Sequence, residues 1–325
     1  SAVGTTEDIK VNPIQTALVV GAGVMGAGIA QLAAHTGADV VLRDISDELI
    51  QQARDRIVGT WDKLASRGRL SPADRDQRVA RLTTTTDAAD LSDVDVVIEA
   101  VTEREEIKRT VFSELDALLP PRAILATNTS ALSVTRLADA TGRADRVAGL
   151  HFFNPVHRMP LVEIITTDTT SSETLSRLVT LVRGLGKTPL RVADQPGFLV
   201  NRVQVAMFRE VFDLLDRGVA TASEIDRAIR GSMGLRLAAL GPLAIIDYAG
   251  WDISSATFAN LAPDMRGDTE VPDTIRQMVE AGHLGAKSGQ GVYSYPDETI
   301  DEKIRQRNAD YLSLVKLLHS EEESA

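Results

Sequence analysis

One segment near the start of the chain constrains its fold more than any other feature. Thr16–Val20 is a short apolar run of strand-forming residues, and residues 27–34 have the composition of a helix. Between them, Gly21, Gly23 and Gly26 have the spacing G-x-G-x-x-G. The first glycine permits a tight turn, the second lets backbone amides approach a pyrophosphate, and the third lets the helix pack on the strand. The segment predicts a Rossmann-type, doubly wound α/β domain that binds a dinucleotide at the start of this helix.

The next predicted strand, residues 39–43, indicates which dinucleotide binds. It ends at Asp44, where a carboxylate can accept from a ribose 2′-hydroxyl and would repel a 2′-phosphate. We therefore expect NAD rather than NADP as the cofactor, although Arg43 beside Asp44 is less typical of an NAD site. The alternative is a glycine turn in a sheet that binds no nucleotide.

Polar residues follow several later predicted strands. Glu99 and Glu103 follow the strand 94–98, the segment 128–130 follows the strand 123–126, and His151 follows the strand 146–150. Because ligands of doubly wound sheets lie beyond the carboxyl ends of the strands, we expect these residues at the ligand edge. Ser130 then either supplies a hydroxyl to a substrate oxygen or belongs to a helix cap.

His151 has a carboxylate available as its partner. The apolar run 159–165 carries Glu163, and the Asn154–Pro155 turn lies between this run and His151. A returning strand would set His151 and Glu163 side by side, and a carboxylate-held imidazole can serve as a general base. The alternative for an isolated histidine is a purely structural imidazole. We expect His157 in the turn to be solvated.

The character of the chain changes near Asp194. Beyond it we predict helices at 199–217, 222–230, 243–258 and 274–281, and no convincing strand before about residue 292. We therefore predict a dinucleotide-binding domain at 1–194 and an all-α domain at 195–325. Asn201 opens the first of these helices among apolar residues, where it makes either a structural hydrogen bond or a contact to a substrate oxygen.

Composition narrows the classes of partner. A net charge of −11 argues against nucleic acid as the main partner, and the absence of cysteine excludes disulfides and suits a reducing, cytoplasmic compartment. The uncharged run 17–34 contains four glycines and then Gln31, so we predict no membrane span there. No histidine or carboxylate cluster resembles a metal ligand set. The basic helix predicted at 46–68 is either a solvated face or a site for a phosphate-rich ligand.

Six segments, in this order and spacing, carry a resemblance to a known family. They are residues 21–28, 128–130, 151–155, 161–163, 196–202 and 287–291. Through them the chain resembles the stand-alone 3-hydroxyacyl-CoA dehydrogenases, from about residue 15 to residue 295. The resemblance implies NAD-dependent oxidation of an L-3-hydroxyacyl-CoA to a 3-ketoacyl-CoA, and a homodimer formed through the helical domain.

The resemblance also implies roles for individual residues. His151 would take the hydroxyl proton, Glu163 would orient His151, and Ser130 and Asn201 would bind substrate oxygens. The residues implied in cofactor binding are Gly21, Gly23, Gly26, Asp44, Glu103, Lys108, Asn154 and Lys287. Thr60 and Arg67 match the family's coenzyme A contacts less closely.

Two departures and two alternatives accompany the resemblance. The segments 231–242 and 259–275 differ from compact members of the family, which leaves the preferred acyl chain length open. One alternative function is a dehydrogenase of a 3-hydroxy acid or sugar acid that carries no coenzyme A. The other is a non-catalytic NAD(H)-binding protein, which would be expected to have lost Ser130, His151, Glu163 or Asn201, and all four are present.

Overall fold

A computed structural model describes residues 14–87, 91–239, 241–242, 280–282, 296, 301–302, 305, 309 and 313. The chain divides into two compact units, Ser1–Asn201 and Arg202–Ala325. The predicted helices 243–258 and 274–281, apart from residues 280–281, lie outside the described residues, as do the segment 259–275 and Lys287.

The first unit is built on a single eight-stranded sheet. Its strands are β1 Thr16–Val20, β2 Asp39–Arg43, β3 Leu82–Thr85, β4 Val96–Glu99, β5 Ile124–Thr127, β6 Val147–Phe152, β7 Leu161–Thr166 and β8 Thr188–Ala193. Their order across the sheet is β3-β2-β1-β4-β5-β6-β7-β8. All neighbouring pairs are parallel except β6 and β7, which are antiparallel. The doubly wound α/β fold predicted from the glycine motif is confirmed.

Helices cover both faces of this sheet. They are α1 Val24–Ala33, α2 Asp47–Ser66, α3 Pro72–Arg81, α4 Glu105–Leu118, α5 Val134–Ala138 and α6 Ser172–Gly184. Four of these helices begin after a serine whose hydroxyl accepts a backbone N–H of the first turn, namely α2, α3, α5 and α6. Such a cap satisfies an amide that has no partner inside the helix. Ser46 caps α2, and Ser71 caps α3, whose first residue is Pro72.

Two apolar clusters hold the layers together. On one face α1, α2 and α6 pack against the sheet, with Trp61 of α2 fully buried. On the other face α4 and α5 pack around Phe112 and Leu115, and Phe198 joins this cluster. Because the inner strands are buried on both faces, they are predominantly apolar and do not alternate between apolar and polar residues. Their few polar residues, such as Glu99 and Thr127, lie at the carboxyl ends.

The second unit is helical in the part that the structure describes. Helix α7 spans Val200–Asp216 and therefore begins within the first unit, whereas α8 spans Ala222–Ile229 and α9 spans Leu235–Ala239. Thr221 and Glu224 form a reciprocal capping box at the start of α8. A single π-helical turn, Arg230–Gly234, joins α8 to α9. Among the described residues, no helix is both long and apolar enough to cross a membrane.

Candidate active site

The glycine turn has the shape that a dinucleotide phosphate requires. A side chain at Gly26 would put Cβ 1.7 Å from the carbonyl oxygen of Gly21, so the turn can close only around glycine. Gly21 adopts φ +104°, a backbone conformation that disfavours side chains. At Gly23, by contrast, an added Cβ would meet nothing within 4 Å. The space beside Gly23 is therefore open for a ligand at the start of α1, and the residues present fit a dinucleotide.

Asp44 lies at the end of β2 and binds this turn directly. Its Oδ2 accepts the Ala22 N–H at 2.6 Å, and its Oδ1 accepts the Ile45 N–H at 2.7 Å. Arg56 of α2 donates to the Ala22 carbonyl at 3.3 Å. The carboxylate expected to bind a ribose therefore also fixes the glycine turn.

His151 and Glu163 face each other across the antiparallel pair β6 and β7. They are direct partners in the strand register, and His151 Nδ1 lies 2.7 Å from Glu163 Oε2. An ionised carboxylate only accepts hydrogen bonds, so Nδ1 carries the proton and Nε2 has a free lone pair. Nε2 has no hydrogen-bond partner in the described part of the chain. The pair thus presents one basic nitrogen with a fixed tautomer.

The second carboxylate oxygen of Glu163 binds backbone amides at the start of α7. Its Oε1 accepts the N–H of Leu199 at 3.2 Å and of Val200 at 2.9 Å, at the beginning of α7. Burial alone would raise the pKa of Glu163, but hydrogen bonds from His151 and Val200, attraction to His151 and the Leu199 amide together lower it. Glu163 is therefore a buried carboxylate held in its ionised form.

Two aromatic rings fix the plane of the imidazole. The ring centroids of Phe153 and Phe198 lie 4.5 Å and 5.7 Å from that of His151, both tilted. Phe198 has φ 49°, a left-handed conformation that costs a side-chain-bearing residue about 1–2 kcal/mol. This strained residue immediately precedes the two amides that bind Glu163. The imidazole, its carboxylate and the start of α7 are therefore built as one packed assembly.

The segment after β5 carries a second group of polar side chains. The Ser130 N–H donates to Glu103 Oε1 at 2.7 Å, and Asn201 Nδ2 donates to the Ser130 carbonyl at 2.9 Å. Asn128 Oδ1 accepts the Phe152 N–H at 2.9 Å, which ties this segment to β6 beside His151. The structure thus brings Ser130 and Asn201 together, and it joins their segment to the strand of the His151–Glu163 pair.

Lys108 and Glu99 form a buried ion pair beneath this segment. Lys108 Nζ lies 2.7 Å from Glu99 Oε1 and 3.2 Å from Glu103 Oε2. Thr127 donates to the other oxygen of Glu99 at 2.7 Å. Sequence reasoning placed Glu99 at the ligand edge without a role and did not single out Thr127. The sequence signal that could have identified both residues is a polar side chain inside or directly after a buried strand.

The structure does not bring every predicted site residue into these contacts. Asn154 is exposed in the β6–β7 turn. Thr60 donates its hydroxyl to the Arg56 carbonyl at 2.8 Å, within α2, and Arg67 is exposed at the end of that helix. His157 is exposed in the same turn as Asn154. No group of three metal-binding side chains occurs among the described residues.

Two family models match the chain and together span most of it. Residues 16–195 match the NAD binding domain of 3-hydroxyacyl-CoA dehydrogenase, and residues 197–295 match its C-terminal domain.

Individual relatives agree with these models. A probable 3-hydroxybutyryl-CoA dehydrogenase of Deinococcus radiodurans is 40% identical over 278 residues, 85% of this chain and 99% of the relative. The crystal structure of (S)-3-hydroxybutyryl-CoA dehydrogenase from Ralstonia eutropha is 39% identical, with a TM-score of 0.72 over 87% of this chain and all of that one. A third protein is 31% identical, with a TM-score of 0.85 over 94% of this chain and 99% of its own. It is 5-formyl-3-hydroxy-2-methylpyridine 4-carboxylic acid 5-dehydrogenase, an NAD⁺-dependent dismutase.

Proposed function

Because the chain belongs to the 3-hydroxyacyl-CoA dehydrogenase family, we propose that it catalyses the reversible, NAD-dependent oxidation of an L-3-hydroxyacyl-CoA to the 3-ketoacyl-CoA. The observation that carries this proposal is the pairing of His151 Nδ1 with Glu163 Oε2 at 2.7 Å, with Nε2 left free. A base with a free lone pair, held beside an NAD-binding domain, suits the removal of a proton from an alcohol during hydride loss.

The chain's own residues then have distinct tasks. Bound NAD supplies the acceptor for the hydride that leaves C3 of the substrate. His151 Nε2 takes the proton of the C3 hydroxyl, and Glu163 stabilises the resulting imidazolium without moving. In the reverse direction His151 returns this proton to the oxygen of the ketone. Ser130 and Asn201 hold substrate oxygens, so that the alcohol carbon stays oriented toward the cofactor.

We propose ligand contacts for the other predicted residues on different grounds. Glu103 and Lys108 would contact the cofactor, by resemblance. Asp44 would hold the adenosine ribose, supported by its position at the end of β2 beside the glycine turn. Asn154 and Lys287 would lie near the nicotinamide half, and Thr60 and Arg67 would contact coenzyme A, in each case by resemblance. The exposed guanidinium of Arg67 is compatible with a phosphate ligand.

A second candidate function is oxidation of a small carboxylic acid that carries no coenzyme A. It is favoured by the TM-score of 0.85 to a dehydrogenase of a pyridine carboxylic acid, a likeness that covers 94% of this chain. The same base and the same cofactor site would serve that substrate. The two candidates differ in whether the enzyme needs a thioester.

One assay separates these candidates. NADH oxidation would be followed with acetoacetyl-CoA, with free acetoacetate and with longer 3-ketoacyl-CoA substrates, and NAD reduction with hydroxymethyl-substituted aromatic acids. Turnover of the thioesters alone would support the first proposal and begin to define the chain length. Turnover of a free acid alone would move the assignment to the second candidate. NADH binding without any turnover would contradict both.

We propose three further properties of the whole protein. The functional boundary lies at 194/195, since the chain turns there from sheet to helix. The protein is a homodimer, supported by exposed apolar side chains of α7 such as Val203, Val205 and Phe208. A cytoplasmic location is supported by the absence of cysteine. Light scattering of wild type and of Phe208→Glu tests the homodimer. Fractionation of the source cells tests the cytoplasmic location.

A further inference from the structure

The β6–β7 turn, residues 153–160, packs on helix α1 at a glycine that lies outside the G-x-G-x-x-G motif. Val156 of this turn is 4% exposed and belongs to the apolar cluster that includes α1. A Cβ added at Gly28 of α1 would lie 3.1 Å from both Cβ and Cγ2 of Val156 and 3.8 Å from its Cγ1. Carbon atoms pack best about 3.5–4.0 Å apart. Val156 therefore occupies the space that a side chain at Gly28 would need.

The far end of the same turn is bound to the start of β8. Lys187 is largely buried, and its Nζ donates to the Met159 carbonyl at 2.6 Å. The next residue, Thr188, donates its N–H to the Pro160 carbonyl at 2.8 Å. The turn is thus held by α1 on one side and by β8 on the other.

The turn is also bonded internally and where it leaves β6. The N–H groups of Arg158 and Met159 both donate to the Pro155 carbonyl, at 2.9 Å and 3.1 Å. The Phe152 N–H, at the end of β6, donates to Asn128 Oδ1 at 2.9 Å. Because these bonds fix the shape of the turn, we expect a shift at Val156 to move the turn as one piece and to reach the end of β6.

The contact between Val156 and Gly28 joins two parts of the site that are distant across the sheet. Gly28 lies about one helical turn after Val24, the first residue of α1, where the dinucleotide is expected to bind. Val156 lies five residues after His151. In the sheet itself, β4 and β5 separate β1 from β6. The contact is therefore a direct link between the cofactor helix and the strand of the base.

We propose that Gly28 is a positioning residue, which lets Val156 seat the β6–β7 turn on α1 and thereby sets the distance between bound cofactor and the His151 imidazole. The part that concerns this distance rests on the proposed function, because it is expressed in hydride transfer. The seating of the turn is independent of the substrate.

The variants change the fit between the turn and the helix by single methyl groups. Gly28→Ala adds a Cβ that Val156 can accommodate only by moving a few tenths of an ångström. Val156→Ala removes Cγ1 and Cγ2, which opens a gap alone and relieves the overlap when combined with Gly28→Ala. Gly184→Ala is the matched control, because Gly184 also lies in a helix, α6, and an added Cβ would meet nothing within 4 Å.

Three measurements distinguish positioning from a loss of folding or of cofactor binding. In Gly28→Ala we expect kcat with acetoacetyl-CoA at saturating NADH to fall roughly three- to tenfold, since a misplacement of about 1 Å can cost about 10²-fold. NADH affinity should stay within about twofold of wild type, because the glycine turn is unchanged. The primary isotope effect with NADH deuterated at the transferred position should increase, because hydride transfer becomes slower relative to product release.

The double variant tests whether the two residues act through each other. Gly28→Ala/Val156→Ala should recover kcat to within about twofold of wild type, although each single substitution lowers it. Gly184→Ala should match wild type in kcat, NADH affinity and isotope effect. If Gly28→Ala does not fold, Val156→Ala carries the test, since it creates no overlap and should still lower kcat and increase the isotope effect.

Three outcomes would overturn the inference. One is an unchanged kcat and isotope effect in both single variants. Another is a double variant in which the two losses simply add, as expected of residues that act independently. The third is a roughly tenfold weaker NADH affinity with unchanged kcat in Gly28→Ala, which would assign Gly28 to cofactor binding.

Failure of the proposed function would be seen separately, as a wild type that turns over no thioester. In that case amide hydrogen exchange at Arg158 and Met159, whose N–H groups bind the Pro155 carbonyl, replaces kcat. Faster exchange in Gly28→Ala that returns to the wild-type rate in the double variant would support the seating of the turn. Unchanged exchange in Gly28→Ala would contradict it.

Discussion

At the scale of single residues, Glu163 connects the chemistry of the site to its architecture. One oxygen holds Nδ1 of His151, and the other holds the amides of Leu199 and Val200. An acid in this position must be ionised to serve both, because a protonated oxygen would meet a donor on either side. The same contacts that stabilise the start of α7 therefore also fix which nitrogen of His151 is basic.

Replacing His151 by alanine tests the assigned base. We expect kcat to fall by about 10²- to 10⁴-fold, because proton transfer from the substrate hydroxyl loses its acceptor. NADH affinity should be kept, since His151 does not belong to the glycine turn. The matched control is His157→Ala, which removes an exposed histidine of the adjacent turn and should leave kcat close to wild type. Near-normal kcat in His151→Ala would reject the assignment.

Glu163→Gln tests the double role of the carboxylate. The amide can offer its oxygen to His151 or to α7 but not to both, so we expect a fall in kcat of up to about 10⁴-fold through the wrong tautomer. Stability should fall as well. Because the pKa of Glu163 is lowered in the folded protein, its contribution is present above the ordinary value of 4.5 and is lost as pH falls through the folded pKa.

Urea unfolding at neutral and at acidic pH measures this contribution directly. Wild type should be more stable than Glu163→Gln near pH 7, and the difference should shrink as the pH falls below about 4.5. A difference that stays constant with pH would mean that packing, and not ionisation, accounts for the loss of stability.

At the scale of elements, two glycines in the turn between β1 and α1 have different tasks. Gly26 is needed for the turn to form, whereas Gly23 leaves space for the ligand. Gly26→Ala would force Cβ to 1.7 Å from the Gly21 carbonyl, so the turn must open. We expect a loss of about 2–4 kcal/mol in the free energy of unfolding, typical of severe backbone strain, together with loss of NADH binding. Gly23→Ala meets no protein atom within 4 Å and should fold normally.

The contrast between these two variants is the test of the cofactor site. Gly23→Ala should retain its thermal stability but bind NADH at least about tenfold more weakly, because the added methyl group occupies the space in which backbone and pyrophosphate approach each other. Differential scanning fluorimetry and NADH fluorescence titration measure the two properties. Unchanged NADH affinity in Gly23→Ala would place the pyrophosphate elsewhere.

Elements with strong local signals were predictable, and those that depend on distant partners were not. Strands β1, β4 and β5 were predicted to within a few residues, because buried parallel strands are predominantly apolar. Strand β3, Leu82–Thr85, was missed, since three threonines at the edge of a sheet give no apolar run. Strand β6 extends to Phe152, so His151 lies inside the strand and not after it.

The same distinction applies to the site. The His151–Glu163 pairing was predictable because a turn between two strands fixes which residues become cross-strand partners. The burial of Lys108 was not, because its helix looks charged in the sequence and only the folded chain brings it to Glu99 at the end of a neighbouring strand. Tertiary ion pairs of this kind have no periodic signature.

At the scale of the whole molecule, a histidine outside the site, His35, makes the free energy of unfolding depend on pH. His35 follows α1, and burial, together with the nearby charge of Arg78, lowers its pKa from 6.5 to about 4. The unfolded chain therefore binds a proton below pH 6.5 that the folded protein accepts only near pH 4. Since the unfolded state binds more protons in this window, stability must fall as the pH is lowered through it, and His35 has no effect above it.

His35→Gln should flatten this dependence. We expect wild type to lose stability between about pH 6.5 and 4 more steeply than the variant, and the two to share the same pH dependence at neutral pH. The difference should be smaller than the full shift implies, because part of the side chain is exposed and solvent screens its charge there. Urea unfolding followed by the fluorescence of buried Trp61, in a Trp251→Phe background, reports on the first unit. Equal slopes for both proteins across this window would show that the proton affinity of His35 does not change on folding.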